Sequence, residues 1–316
     1  MINGIKVLKF GVEDVAKTVQ YLQDFGLSEV KNALSNAHCF RTQNGAEVQV
    51  YAVKDERLPA AFEAGSTLRE VTWAVNRDAD LEVLALTLQD APSFQRKADS
   101  IVCQDPNGLF LRFEVATLAY KAEAVAEGIN QYGQINRINA PSPVYAQAEP
   151  MAIGHVVFFT PDLETTQAFY ENKLGFHLSD AYKQRGAFLR CSSEGWHHSL
   201  FLLKLPHKPD AGLNHVAFVV RDIHEVIGGG LNMNRLKWDS FIGPGRHPIS
   251  SAYFWYVHSP LGGAFEYYTN DDYLTAQWQP RFYDYSLELF TEWAIDGGLD
   301  HATRRQAVHV KDGCHE

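Results

Sequence analysis

Apolar and polar positions along this chain fall into a repeating pattern. From Gly154 to Phe176 it reads GHVVFFTPDLETTQAFYENKLGF. An apolar run fit for a strand is followed by Pro161-Asp162, which supplies a turn and a helix N-cap, and then by Phe169, Tyr170 and Leu174 on one helical face. VLKFGVEDVAKTVQYLQDFGL, beginning at Val7, aligns with it without a gap, Asp14 standing for Asp162 and Tyr21 for Phe169. LNHVAFVVRDIHEVIGGGLNM, from Leu213, starts the same way with Asp222-Ile223 at its turn, and LREVTWAVNRDADLEVLALTLQ, from Leu68, is a looser copy. Each unit closes on alternating strands such as GAFLRCSS, HSLFLLKL and AYFWYVHSP. Asp105-Pro106-Asn107-Gly108 and Ser259-Pro260-Leu261-Gly262 are matching turns before the last strands of the second and fourth units.

Self-similarity of this kind marks a repeat architecture. It predicts an α+β fold of four βαβββ modules in two tandem domains. Residues 1–118 form an N-terminal domain of two modules, and residues 119–150, rich in Ala, Gln, Asn and Pro, form a connector. Residues 151–275 form a C-terminal domain of two modules, and residues 276–316 carry one helix, Ser286 to Ile295, before a polar tail.

Composition narrows the function classes. The net charge of −10 argues against nucleic-acid binding, which needs a clustered basic surface. No run of eighteen apolar residues is present, so no membrane span is expected, and the N-terminus has no secretory pattern. Cys39, Cys103, Cys191 and Cys314 are scattered without a CxxC pair, which indicates neither a disulfide framework nor a zinc site. A cytoplasmic protein is expected.

Duplication supplies an internal control, because equivalent positions can be compared within one sequence. His155 in GHVVF, His215 in NHVAFVV and Glu266 in GAFEYY occupy strand positions that should be core, and the first half has Val7, Glu70 and Arg112 there. A lone histidine on an apolar strand is usually a hydrogen-bonded core residue, and a lone buried glutamate usually finds a basic partner. Three such residues at module starts and a module end are harder to explain that way. Two imidazoles and one carboxylate form the facial triad that leaves open positions on divalent iron. Valine cannot ligate, so the first half is expected to be metal-free, with Glu70 and Arg112 forming an ion pair in its cleft. Gly228-Gly229-Gly230 lacks a following Lys-Ser/Thr and is not a phosphate loop.

The modules and triad resemble the type I extradiol dioxygenases of the vicinal oxygen chelate superfamily, which share a glyoxalase-like fold. The resemblance runs from about residue 5 to 275 and is most specific in GWHHSLFLLK, LNHVAFVV and GPGRHPISSAYFWYVHSPLGGAFEYY. It implies a metal site in the C-terminal domain holding Fe(II), with Mn(II) compatible with the same ligands. It also implies O₂ as co-substrate, a small aromatic diol as substrate, ring cleavage beside the two hydroxyls to a semialdehyde-type product, and a homo-oligomer, a tetramer or larger. Three further family residues map to His198, His247 and Tyr256. His198 fits an acid–base role, and His247 and Tyr256 fit hydrogen-bond donation to the bound diol. His197 is read as a structural or pocket-wall residue. Trp196, Phe241, Ile242, Ile249 and Phe254 are candidate substrate-binding walls. Phe241-Ile242 stands where relatives acting on carboxylated catechols place an arginine, which points to an apolar or small ring substituent. The competing readings are a glyoxalase-like isomerase or lyase, whose sites commonly use a fourth protein ligand, and a non-catalytic small-molecule-binding protein.

Overall fold

The computed structural model describes residues 1–31, 37–119 and 128–295. Connector residues 120–127 and the predicted polar tail from 296 onward lie outside these. The first module comprises β1 (Ile2–Val12), α1 (Val15–Asp24), β2 (Ser28–Val30), β3 (His38–Arg41) and β4 (Glu47–Ala52). The second comprises β5 (Thr67–Val75), α2 (Asp78–Leu88), β6 (Gln95–Arg96), β7 (Ser100–Gln104) and β8 (Phe110–Val115). The third has β9 (Ala152–Phe159), α3 (Leu163–Leu174), β10 (His177–Tyr182), β11 (Gly186–Arg190), a short β12 (Gly195–Trp196) and β13 (Leu200–Leu203). The fourth has β14 (Gly212–Val219), α4 (Ile223–Arg235), β15 (Ser240–Arg246), β16 (Tyr253–His258) and β17 (Ala264–Thr269). Then follow β18 (Tyr273–Leu274), β19 (Arg281–Tyr283), the one-turn helix α5 (Leu287–Phe290) and β20 (Trp293–Ala294).

The expected N-caps are present. Asp14, Asp162 and Asp222 accept from the backbone N–H of Lys17, Thr165 and Glu225, whereas α2 begins at Arg77 with no side-chain cap, which is why its sequence signal is the weakest. The modules join in pairs through antiparallel first strands, β1 on β5 and β9 on β14. One sheet runs β2-β3-β4-β1-β5-β8-β7-β6, and the other repeats that order as β10-β11-β13-β9-β14-β17-β16-β15 with β19 and β20 added at its edges. No described helix is long and apolar enough to cross a membrane.

Strand alternation sorts side chains between two faces. Val156, Phe158, Val216, Phe218, Trp255, Val257, Phe265 and Tyr267 enter the main core, which both halves share. The Phe25 ring stacks on Tyr267 with centroids 4.0 Å apart, and the Tyr267 hydroxyl donates to the Phe25 carbonyl at 2.8 Å. Gly230 lets α4 press onto the sheet, since a Cβ there would meet the Trp255 ring at 2.0 Å. The opposite face of the second sheet carries His155, His215, Glu266, Phe254 and Tyr256.

One predicted element is corrected. The helix expected from Ser286 to Ile295 is a single turn, Leu287–Phe290, capped by Ser286. The chain then extends at Thr291, and Trp293 and Ala294 pair with Arg246 and Gly245. The free edge of β15 offers these residues backbone partners that a longer helix would forgo.

In the first half Glu70 and Arg112 form the ion pair expected of them. Arg112 Nε and Lys9 Nζ donate to Glu70 Oε1 at 3.0 and 2.9 Å, and Glu70 is 3% exposed. These residues line a cleft of about 300 Å³ with Val7, Thr72 and Glu114. Glu70→Gln leaves Lys9 and Arg112 without their carboxylate. It is expected to lower unfolding free energy by about 2–3 kcal/mol in urea titrations, less than for a fully buried pair because both cations keep some solvent contact.

The halves also meet at Asp105, which accepts from the Tyr170 hydroxyl at 3.1 Å and from the backbone N–H of Asn107 and Leu109. Burial pushes its carboxyl up to about 6 despite those bonds. A carboxyl raised on folding stabilises below its unfolded pKa and loses that contribution as pH rises through the folded value. Relative to Asp105→Asn, the wild type is therefore expected to lose roughly 3 kcal/mol between about pH 3 and pH 7, measured by urea unfolding along the pH series.

Candidate metal centre

Three neighbouring strands bring the triad together. β14 pairs with β9 on one side and β17 on the other, and the registers set Ala217 opposite both His155 and Glu266, with His215 two residues away on the same face. The first half has the same register: Thr72 lies opposite both Val7 and Arg112, with Glu70 two residues before it. The sequence alignment of Val7, Glu70 and Arg112 with His155, His215 and Glu266 is thus also a structural one.

His155 Nε2 and His215 Nε2 lie 3.3 Å apart, and each lies 3.3 Å from Glu266 Oε2. All three residues are buried, and among the described residues they are the one group of three or more His, Cys, Asp and Glu ligand atoms within 4.8 Å of one another. The centre of a triangle of that side is about 2 Å from each corner, the distance at which first-row cations bind imidazole nitrogen and carboxylate oxygen. Glu266 Oε2 has no hydrogen-bond partner, and His215 Nδ1 faces the Asn214 amide oxygen at 2.6 Å. Asn214 Oδ1 thus accepts a hydrogen bond from Nδ1–H, which leaves Nε2 as the lone pair. Burial pulls His155 down to about 4, so its ring is neutral. Burial also pushes Glu266 up, but the imidazoles of His155, His215 and His247 beside it outweigh that and hold the carboxyl well below the usual range. A carboxylate oxygen and two imidazole nitrogens converging at that spacing fit a divalent cation.

His198 is buried with its ring 4.0 Å from that of His155. His247 donates from Nδ1 to the Phe290 carbonyl at 2.6 Å, so its Nε2 is the acceptor for the Tyr256 hydroxyl at 3.1 Å. In this arrangement Tyr256 carries the donor hydrogen, and the turn α5 holds His247 in place. Phe254 stacks on His247 at 4.1 Å. Ile242 joins Phe254, Tyr256 and Tyr268 in one apolar cluster, and Ile249 joins Val157, Tyr182, Phe188 and Phe201 in another. Phe188 touches the His198 ring, so this second cluster borders the site. Phe241, 47% exposed, meets Tyr256 and His258, while Trp196, 48% exposed, meets Tyr273 on the ribbon of β12 and β18. Among the described residues, the Trp196 ring meets Tyr273 and not the triad.

Sequence reasoning passed over Asn214, the Phe290 carbonyl and Asp180. The last was visible in principle, as a carboxylate interrupting the strand HLSDAY, and it is fully buried. Gly154 was also passed over: a Cβ there would meet the Tyr268 hydroxyl at 1.9 Å, and the Tyr268 ring lies 4.9 Å from His155. Gly154→Ala is expected to cost about 1–3 kcal/mol by overpacking and to weaken metal binding through displacement of β9, read by thermal melts and metal titration.

Residues 152–267 match the Glyoxalase/Bleomycin resistance protein/Dioxygenase superfamily. The chain is 28% identical over 289 residues to metapyrocatechase 2 of Cupriavidus necator, covering 87% of this chain and 83% of that protein. Its fold is similar to that of BphC, described as a halotolerant catechol dioxygenase, with a TM-score of 0.72, 19% identity and coverage of 96% and 97% of the two chains. It is equally similar to a Mn(II)-bound glyoxalase from Novosphingobium aromaticivorans, with a TM-score of 0.72, 21% identity and coverage of 94% and 93%. The fold is therefore the mixed α+β arrangement shared by these vicinal oxygen chelate proteins.

Proposed function

From a C-terminal half that matches this superfamily and a three-residue ligand set, we propose that the protein is an extradiol dioxygenase that opens a catechol-type ring beside its hydroxyls. The observation that carries the reading is the convergence of His155, His215 and Glu266 on one point, with His198, His247 and Tyr256 around it. Three protein ligands leave positions for both diol oxygens and O₂, whereas a fourth protein ligand would favour the glyoxalase-like reading. Fe(II) is the proposed cofactor. When bound, it supplies Lewis acidity and a route for electron density from ring to O₂.

The chain's own residues supply orientation and proton handling. His198 accepts the second diol proton and returns it to the product. On substrate binding the Tyr256 O–H turns from His247 Nε2, a partner fixed by the Phe290 carbonyl, to donate to the substrate oxygen. Phe188, Phe201, Ile249 and Phe254 keep the ring in apolar surroundings, which suits an apolar or small substituent better than a carboxylate. The same reading includes a cytoplasmic homo-oligomer, a tetramer or larger, supported by the family resemblance alone.

Anaerobic reconstitution with Fe(II), followed by a panel of catechols and O₂, is expected to give O₂ uptake and a yellow product, while Mn(II) reconstitution compares the two metals. Iron-loaded protein that consumes no O₂ with any catechol would end this reading. His215→Ala or Glu266→Ala is expected to abolish stoichiometric metal binding, and His198→Asn to bind metal yet lose roughly 10²–10⁴ in kcat.

A further inference from the structure

His197 was expected to be structural, yet its hydrogen bonds lead directly to His198. His197 Nε2 lies 3.2 Å from Asp180 Oδ2, and His197 Nδ1 lies 3.1 Å from His198 Nδ1. His197 and Asp180 are both fully buried. Asp180 accepts from Arg281 as well, through the backbone N–H at 2.8 Å and the guanidinium Nε and Nη2 at 3.3 and 3.0 Å. Burial pushes the Asp180 carboxyl up, but His197 and Arg281 outweigh it and hold it below the usual range, so Asp180 is ionised. The backbone N–H of His197 donates to Asp271 Oδ2 at 3.1 Å, and the Phe188 ring packs against both histidines. The pair is held at its backbone, at its far ring nitrogen and on its flank.

Donor and acceptor rules then fix each proton. An ionised carboxylate only accepts, so His197 Nε2 carries a hydrogen. In a neutral ring the other nitrogen is then a lone pair, and His197 Nδ1 must accept. The sole hydrogen available between the two Nδ1 atoms is that of His198. Its Nε2, which makes no hydrogen bond among the described residues, is left as the basic atom.

We propose that Asp180 and His197 are positioning residues that, through the hydrogen bond between the two Nδ1 atoms, hold the ring hydrogen of His198 on Nδ1 and leave its Nε2 as an acceptor for the substrate hydroxyl. This rests on the dioxygenase reading for its purpose, but the tautomer can be measured without it. With the opposite tautomer, Nε2 would already carry hydrogen and His198 could not act as the base. The three residues act in series, and only His198 meets substrate.

The test uses ¹⁵N-histidine-labelled, metal-free full-length protein, in which two-bond ¹H–¹⁵N correlations report the protonated nitrogen of each ring. The His198 signals are assigned by their loss in His198→Asn. The wild type is expected to show His198 as Nδ1–H. In Asp180→Asn the amide oxygen is retained by Arg281 and the NH₂ group faces His197, which should move the hydrogen to Nδ1 of His197 and to Nε2 of His198. In the iron-loaded enzyme, kcat should fall by roughly 10²–10⁴ with KM unchanged. His197→Asn keeps a carbonyl acceptor for His198 Nδ1–H and should recover most of that loss, while His197→Phe should not. These two variants decide the matter if Asp180→Asn fails to fold. His198 found as Nε2–H in the wild type, or unchanged in both folded Asp180→Asn and His197→Phe, overturns the proposal. A wild type that cleaves no catechol removes the dioxygenase reading instead, and the spectra still decide the tautomer.

Discussion

Two imidazole nitrogens and a carboxylate oxygen sit 3.3 Å apart in a buried place. The lone pairs of atoms so arranged repel unless a cation or a ring hydrogen stands among them, and Glu266 Oε2 is left without a hydrogen-bond partner. The rest of the C-terminal half can be understood as the means of holding that arrangement. Strand pairing does most of it: β9, β14 and β17 are adjacent, and their registers set the three side chains abreast on one face. A slip of one residue in any of them would turn its ligand into the shared core.

The first half shows the same geometry answered differently. Its register is preserved, with Val7, Glu70 and Arg112 abreast, yet the positive charge is built into the chain. Arg112 replaces the carboxylate and Lys9 approaches Glu70 from β1, so the buried charge is balanced by covalently attached cations. One duplicated sheet thus solves the problem of a polar cleft twice, once with internal ion pairs and once with a site that calls for an ion from solution. The choice between them rests on a few side chains, Lys9 among them, not on a difference of fold.

This division explains what could be read from the sequence. Module boundaries were legible because helix N-caps and strand alternation are local: Asp14, Asp162 and Asp222 act within four residues of themselves, and α2, without such a cap, was the faint copy. The triad was legible because duplication let each residue be compared with its counterpart. The tail was misread because Ser286 and the residues after it do favour a helix, and what ends the turn at Phe290 is a distant partner, the open edge of β15. Asn214 was hidden for another reason, since its amide matters only through the tautomer it imposes on His215. The Phe290 carbonyl has no side chain by which a sequence could announce it.

The residues whose roles the sequence did not reveal share a pattern. Asn214, Phe290 and the Asp180–His197 pair each bond to a histidine of the site, and each acts by settling which ring nitrogen holds the hydrogen. An imidazole is a ligand, a base or a donor only when its proton is on the appropriate nitrogen, and nothing in the histidine itself decides this. Residue type and register place the rings, and a surrounding layer drawn from β10, β14 and the C-terminal turn gives His198, His215 and His247 their chemical roles. That layer comes from segments far apart in the chain, so the identity of the ligands is carried by short motifs while their protonation is a property of the folded whole.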